Sequence, residues 1–283
     1  MIPNQRQNED IFNALIRVYH SLTRSETKVA DYILRHKHQI HSQSISELAS
    51  ACDVSEATIS RFCHSVGCSS FNEFKLATVH ALSSSESPVM DADLYSTVQA
   101  ADSIEQKCRK LYNVSTDALQ KTLFELKPER ISEVVQVLSD ATRVFCFGQG
   151  NSSIVAEDAW GRFSCVSPKF HFISNANLQA TTVELLGEGD VVLYFSFSGA
   201  VRELIEIGKV MKNSKAKLIL VTRFPNSPGA AYADHLLICG ANEAPRQQGS
   251  IAAKIGQLFI VDVLFHEFCA VKKITSIFPE FME

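Results

Sequence analysis

Apolar residues recur at one spacing along the first half of this chain and at another along the second. In the first half the spacing is helical. Ile11, Phe12, Leu15, Ile16, Tyr19 and Leu22 fall on one face of a helix. Val29, Ala30, Ile33 and Leu34 form the inner face of a second helix, which Thr23 or Ser25 caps. A third is expected after Ser44, carrying Ile45, Leu48 and Ala49; Ser55 caps a fourth, and a fifth runs from Phe71 to about Leu82. Short helices with short connections predict an all-helical bundle over residues 1–82. The polar, proline-ended stretch from Ser83 to Pro88 reads as a linker, and residues 83–127 as linker plus connecting helices, including an amphipathic one from Leu111 to Leu126. Ile131, Val134, Val135 and Leu138 line the helix that leads into the second half.

From Arg143 onward, nearly continuous apolar runs at 143–147, 169–174, 190–196, 217–222 and 235–239 alternate with helical segments. Strands apolar on both faces are buried on both faces, which implies a parallel sheet between two helical layers. The expected fold is therefore α + α/β. A helical bundle precedes a three-layer α/β/α, doubly wound, five-stranded parallel sheet over residues 128–273. A long helix from Ser250 to about Val271 closes that domain, and residues 274–283 form a tail.

Composition narrows the class. With 46% hydrophobic and 20% charged residues the chain is globular rather than disordered or fibrous. None of its 8 cysteines forms a C-x-x-C pair, and Cys146 and Cys165 lie in apolar runs. The thiols are therefore expected to be reduced and mostly buried in a cytoplasmic protein, with no metal site and no cofactor. No secretory signal pattern opens the chain, and no apolar run approaches ~18 residues, so no membrane span is expected.

Leu48 to Arg61 has the spacing of a helix-turn-helix. Ala49 is small where two helices approach, Val54 and Ile59 lock the second across the first, and Asp53 sits where a left-handed turn residue is wanted. The second helix is expected to show Ser55, Glu56, Thr58, Ser60 and Arg61 outward. Hydroxyls and a guanidinium suit phosphate and base-edge contacts in a major groove. Arg24, Lys28, Arg61 and Lys75 are the expected phosphate contacts. A bundle with a merely solvated polar face would show the same residues. Residues 1–82 hold eight Lys/Arg and eight Asp/Glu within a chain of net charge −4, so one copy would hold DNA weakly. Operator binding would need two half-sites and a homodimer or homotetramer.

In the second half, two strands open into loops of the same chemistry. Gly150, Asn151, Ser152 and Ser153 follow the first; Ser196, Ser198 and Gly199 follow the third. In an open α/β sheet ligands bind at such strand ends, and helix N-termini favour anions, phosphate above all. Gly148-x-Gly150 lacks the third glycine of a dinucleotide fingerprint. The hydroxyls could also be helix caps.

This order of parts resembles the RpiR family of bacterial transcription regulators, which join a helix-turn-helix domain to a sugar-isomerase (SIS) domain. The stretches that carry the resemblance are Ser25–Ile33, Val54–Phe62, Gly67 with Phe71–Lys75, Phe147–Ser153 with Ala156–Asp158, Ser196–Gly199, and Ile255–Leu258 with Asp262–Leu264. It implies that Ser152, Ser196 and Ser198 hold the phosphate of a phosphosugar effector and that the effector changes affinity for a double-stranded DNA operator. SIS domains often continue Ser-x-Ser-Gly-Glu-Thr; here Ala200 and Val201 follow the glycine, and Arg202 is the residue that could supply charge instead. An arginine before the final helix would align near Arg246-Gln247. The alternative reading is a SIS-type phosphosugar isomerase, for which Glu157, Asp158, Glu184, Glu203, Glu243, His171 and His235 offer acid–base groups.

Overall fold

A computed structural model describes residues 11–83, 98–240 and 251–274. Its described residues form two compact units divided between Val114 and Ser115.

The first unit begins with α1 (Ile11–Val18), α2 (Arg24–Arg35), α3 (Ile45–Ala51), α4 (Glu56–Ser65) and α5 (Phe71–Ser83). Each start has a local cause. Thr23 and Ser44 form reciprocal capping boxes with Glu26 and Glu47, and the Ser55 side chain accepts from the Thr58 N–H. The turn after α3 is a Schellman closure. The Val54 N–H donates to the Ala49 carbonyl at 3.0 Å and the Asp53 N–H to Ser50 at 3.1 Å, with Asp53 left-handed at φ 53°. Gly67, at φ 98°, ends α4 the same way, with Cys68 N–H donating to Cys63. Leu15, Val29, Ile33, Leu48, Ile59 and Phe62 are buried in the core, where Phe62 meets Phe74 edge to face at 5.6 Å.

The second unit carries α7 (Pro128–Asp140), β1 (Arg143–Gly148), α8 (Asn151–Ser164), β2 (Phe170–Phe172), α9 (Ala176–Val183), β3 (Asp190–Phe195), α10 (Arg202–Met211), β4 (Lys217–Thr222), β5 (His235–Ile238) and α11 (Ile251–Val271). The division between units falls inside α6 (Ile104–Glu125), whose Tyr112, Leu123 and Phe124 are exposed. All strand pairs are parallel, in the order β2-β1-β3-β4-β5. Alternate strand residues feed two cores. Val144, Cys146, Leu193 and Val221 pack with α7, α8 and α11, while Phe147, Val192, Tyr194 and Leu220 pack with α9 and α10. This is the three-layer α/β/α arrangement the strand pattern predicts. β2 is shorter than its apolar run because the Ile173 carbonyl accepts instead from the Gln179 side chain at 2.6 Å.

The expected linker after Ser83, the tail beyond Ile274, and Glu243, Arg246 and Gln247 lie outside the described residues. Cys146 is buried and its thiol is pushed up to about 12; Cys165, expected among the buried thiols, is instead exposed just past α8. Among the described residues no helix is long and apolar enough to cross a membrane.

One ion pair ties the sheet together at its base. Arg143 and Asp190, register partners on β1 and β3, form a two-pronged bond at 2.8 and 2.6 Å, and the Gly187 N–H donates to the same carboxylate at 2.9 Å. The Arg143 hydrogen bonds hold the Asp190 carboxyl below its ordinary range, against the opposing effect of burial. A depressed carboxyl contributes stability above its unfolded value, lost as pH falls through the folded one. Asp190→Asn is therefore expected to destabilise the protein by about 1–3 kcal/mol at neutral pH. The gap from wild type should close as pH drops below ~4, in urea melts run at both pH values.

Candidate functional site

The strand order places the site. The chain leaves β1 through α8 to reach β2 on one side, then returns through α9 to β3 on the other side of β1. The loops after β1 and β3 thus diverge from adjacent strand ends, the switch point where open α/β sheets leave a crevice. Here the crevice is a cavity of about 170 Å³. At ~30 Å³ per liquid water that is room for a phosphoryl group and more.

From the first loop, Gln149, Asn151 and Ser152 line the cavity; from the second, Ser196, Phe197 and Ser198 do. The two serine-bearing corners therefore face one space. Gly150, at φ 56°, turns the chain into α8, whose first turn carries Asn151, Ser152 and Ser153. Gly148 permits that turn, since a Cβ there would lie 2.5 Å from the Ser152 carbonyl oxygen. In the second loop the hydroxyl oxygens of Ser196 and Ser198 accept the N–H groups of Gly199 and Ala200 at 3.2 and 3.3 Å. These hydroxyls brace their own loop rather than cap α10, whose N-cap is Val201. Gly199 has φ 60°, and a Cβ there would collide with Ser227, so no other residue fits. The Phe197 carbonyl accepts from the Arg223 N–H at 3.0 Å and from the Thr222 hydroxyl at 3.1 Å, which fixes the loop to the end of β4.

A third wall comes from α11, where Lys254 and Gln257 line the cavity. Sequence reasoning gave neither a role, although a glutamine in the apolar run Ile255–Ile260 was a visible signal. It also missed Gln179, which is fully buried, accepts from the Gln149 side chain at 2.8 Å and so steadies the first loop. Arg202 is not brought to the cavity. Its side chain is 85% exposed and pairs with Glu206 one turn along α10 at 2.7 Å. The charge sought from Arg202 is available from Lys254 instead. Gly150, Ser153 and Gly199 shape the loops without lining the cavity. Nor do the described acid–base candidates line it. Asp158 pairs with Arg162, Glu184 sits at the end of α9, and His171 packs against Phe145 in the edge strand region.

In the first unit, α4 presents Ser55, Glu56, Ser60 and Arg61 on an exposed face, as expected. Thr58 departs from expectation: it is buried, its hydroxyl 3.0 Å from that of Ser55 and accepting from Arg61 at 3.2 Å. The cause is that α4 packs against both α2 and α3, so its buried stripe is wide enough to include Thr58. Glu56 accepts from the Ser46 hydroxyl. Lys28 pairs with Asp53 at 2.9 Å, which holds the exposed turn of the motif to α2. Lys75 donates to the Gln43 carbonyl at 2.9 Å, whereas Arg24 is exposed at the start of α2.

Comparison with known proteins agrees with both halves. Residues 10–85 match the helix-turn-helix domain of the rpiR family, and residues 137–267 match the SIS domain. An HTH-type transcriptional regulator of Caldanaerobacter subterraneus subsp. tengcongensis is 32% identical over 256 residues, 90% of this chain and 89% of that one. Another, from Haemophilus influenzae, is 32% identical over 257 residues, 90% of this chain and 88% of that one. Among solved structures, the fold is similar to Vibrio vulnificus NanR complexed with ManNAc-6P, with a TM-score of 0.58 and 24% identity over 93% of each chain. The chain belongs to the RpiR family of HTH-type transcriptional regulators, with a SIS domain following its helix-turn-helix domain.

Proposed function

We propose that this regulator senses a phosphorylated sugar in the cavity between the loops after β1 and β3, and that occupancy changes its affinity for a DNA operator. One observation carries the reading: Ser152, Ser196 and Ser198 converge on a single cavity at the sheet's switch point, with Lys254 on its wall. Hydroxyl donors, a helix N-terminus and an ammonium together suit a phosphate dianion. The similar fold of NanR, which was solved with ManNAc-6P, supports the same ligand class. The polar groups on the described wall are hydroxyls, amides and one ammonium, which hold a ligand without the acid–base pair that aldose–ketose isomerisation requires. Binding rather than turnover is the proposed task.

On the DNA side, the exposed face of α4 enters the major groove, Ser60 and Arg61 reach base edges or phosphates, and Arg24 contacts the backbone. The near-neutral helical unit makes a dimer or tetramer on paired half-sites necessary for tight binding in the cytoplasm. The effector shifts operator affinity only through its differential affinity for two arrangements of the assembly.

A thermal-shift screen of the whole protein tests the reading. A sugar phosphate at ~100 times its Kd adds about 2.7 kcal/mol of stability, a rise of roughly 5–10 °C. The unphosphorylated sugar should give no rise, and the sugar phosphate should be recovered chemically unchanged. Uniformly flat melts across hexose, pentose and amino-sugar phosphates would sink the proposal, and conversion of the added sugar would establish the isomerase instead.

A further inference from the structure

The α11 wall of the cavity poses a separate question: what distinguishes one sugar phosphate from another. Gln257 lines that side, is 1% exposed, and has a side-chain amide nitrogen with no hydrogen-bond partner. A buried amide without a partner loses the hydration it had in the unfolded chain and gains nothing in exchange. Gln257 cannot retreat, because α11 is pinned beside it. At Gly256 a Cβ would lie 2.8 Å from the Thr122 hydroxyl and 3.2 Å from the Gly240 carbonyl oxygen, so the helix is in close contact there. Gln257 is thus fixed at the wall of a space lined by hydroxyls, amides and an ammonium. Lys254 lines the same cavity from one turn earlier on the helix.

We infer that Gln257 reads the carbon skeleton of the ligand by hydrogen-bonding a sugar hydroxyl, while Lys254 neutralises the phosphate. A hydroxyl both donates and accepts, so it satisfies the carboxamide through either of its polar atoms. The effector class is therefore a phosphomonoester of a polyhydroxylated carbon chain or ring, with a free hydroxyl within reach of Gln257 on α11. The discrimination works in one direction. A ligand lacking that hydroxyl leaves the buried amide unpaired and is rejected, which a purely apolar wall could not achieve. This inference rests on the phosphosugar reading above and adds the residue that selects among phosphosugars.

The test uses the full-length protein and calorimetric titration with two probes: the tightest binder among hexose 6-phosphates, pentose 5-phosphates and amino-sugar phosphates, and methyl phosphate, which has the anion and no hydroxyl. Gln257→Leu and the unbranched Gln257→Met are each expected to weaken the sugar phosphate about 10- to 100-fold, as loss of a buried hydrogen bond does. Both should leave methyl phosphate within about twofold of wild type, since the anion does not touch the amide. Lys254→Met should instead weaken both probes by a similar factor. Without ligand, Gln257→Leu should melt no lower than wild type, because it removes an unpaired buried amide.

Equal losses for both probes in the Gln257 variants, or no loss for either, would overturn the inference. So would a ligand-free melting temperature several degrees lower, which would mean the amide is satisfied within the fold. If wild type binds methyl phosphate as tightly as every sugar phosphate, the selective role of Gln257 is refuted while the anion pocket stands. If wild type binds neither probe, the phosphosugar reading itself has failed and takes this inference with it.

Discussion

Replacing Ser152 and Ser196 together by alanine is expected to abolish the response to a sugar phosphate and to leave operator binding at wild-type strength. Both side chains face the one cavity, from opposite loops. The Ser196 hydroxyl oxygen already accepts the Gly199 N–H at 3.2 Å, so its own proton is what it can offer a ligand. A hydrogen bond to a charged group contributes about 1.5–3 kcal/mol, and losing two costs at least about a hundredfold in affinity. Ser196→Ala also removes a brace of the loop, at about 1 kcal/mol, which the fold tolerates. The residues expected to contact DNA lie in the other compact unit, on helices whose caps and core are independent of these loops. The measurement is fluorescence anisotropy of a labelled operator, with and without the sugar phosphate found by thermal shift. An equal fall in operator affinity without ligand would break the proposed division of labour between the units.

The second large effect is expected from Arg61→Ala, which should weaken operator binding while sparing sugar-phosphate affinity. Arg61 is exposed on the outward face of α4 and is held toward the helix N-terminus by a 3.2 Å bond to the Thr58 hydroxyl. A guanidinium at a base edge or phosphate contributes about 1–3 kcal/mol per half-site, or roughly 5- to 150-fold. The Thr58 hydroxyl keeps the Ser55 hydroxyl 3.0 Å away as a partner when Arg61 is lost, so the melting temperature should hardly move. A gel shift against increasing salt separates two roles. Loss of a phosphate contact flattens the salt dependence, whereas loss of a base contact relaxes sequence preference. An unchanged gel shift would remove α4 as the reading helix.

Much of this was legible in the chain because its causes are local. Thr23, Ser44 and Ser55 start helices because each hydroxyl can satisfy an N–H within one turn, and these caps stand where the residue pattern puts them. Asp53 at φ 53° was visible as the left-handed residue of the helix-turn-helix because the turn's length leaves no other conformation. The strands were visible as nearly continuous apolar runs, and β1, β3 and β4 at the centre of the sheet are buried almost throughout, while β2 and β5 at its edges are only partly covered. Three features were not legible. Thr58 reads as outward by residue type but is buried, because two neighbouring helices cover that flank of α4. Arg202 reads as a cavity charge but lies along α10, because Glu206 stands one turn away and solvent is open to both. Gln257 stands out as a polar residue in an apolar run and Lys254 does not, but neither could be given a role, since nothing in a helical repeat says which face meets a distant loop.

By itself, then, the sequence determined the elements, their order, their family and the two hydroxyl-bearing corners, all consequences of interactions between residues a few positions apart. Only the tertiary structure decided that both corners and α11 share one space. That outcome follows from the strand order reversing at β1, which sends two adjacent parallel strand ends into diverging loops and leaves a crevice for α11 to wall. No local periodicity encodes such a meeting, because its partners are separated by whole strands and helices, and packing of the complete sheet is what brings them together.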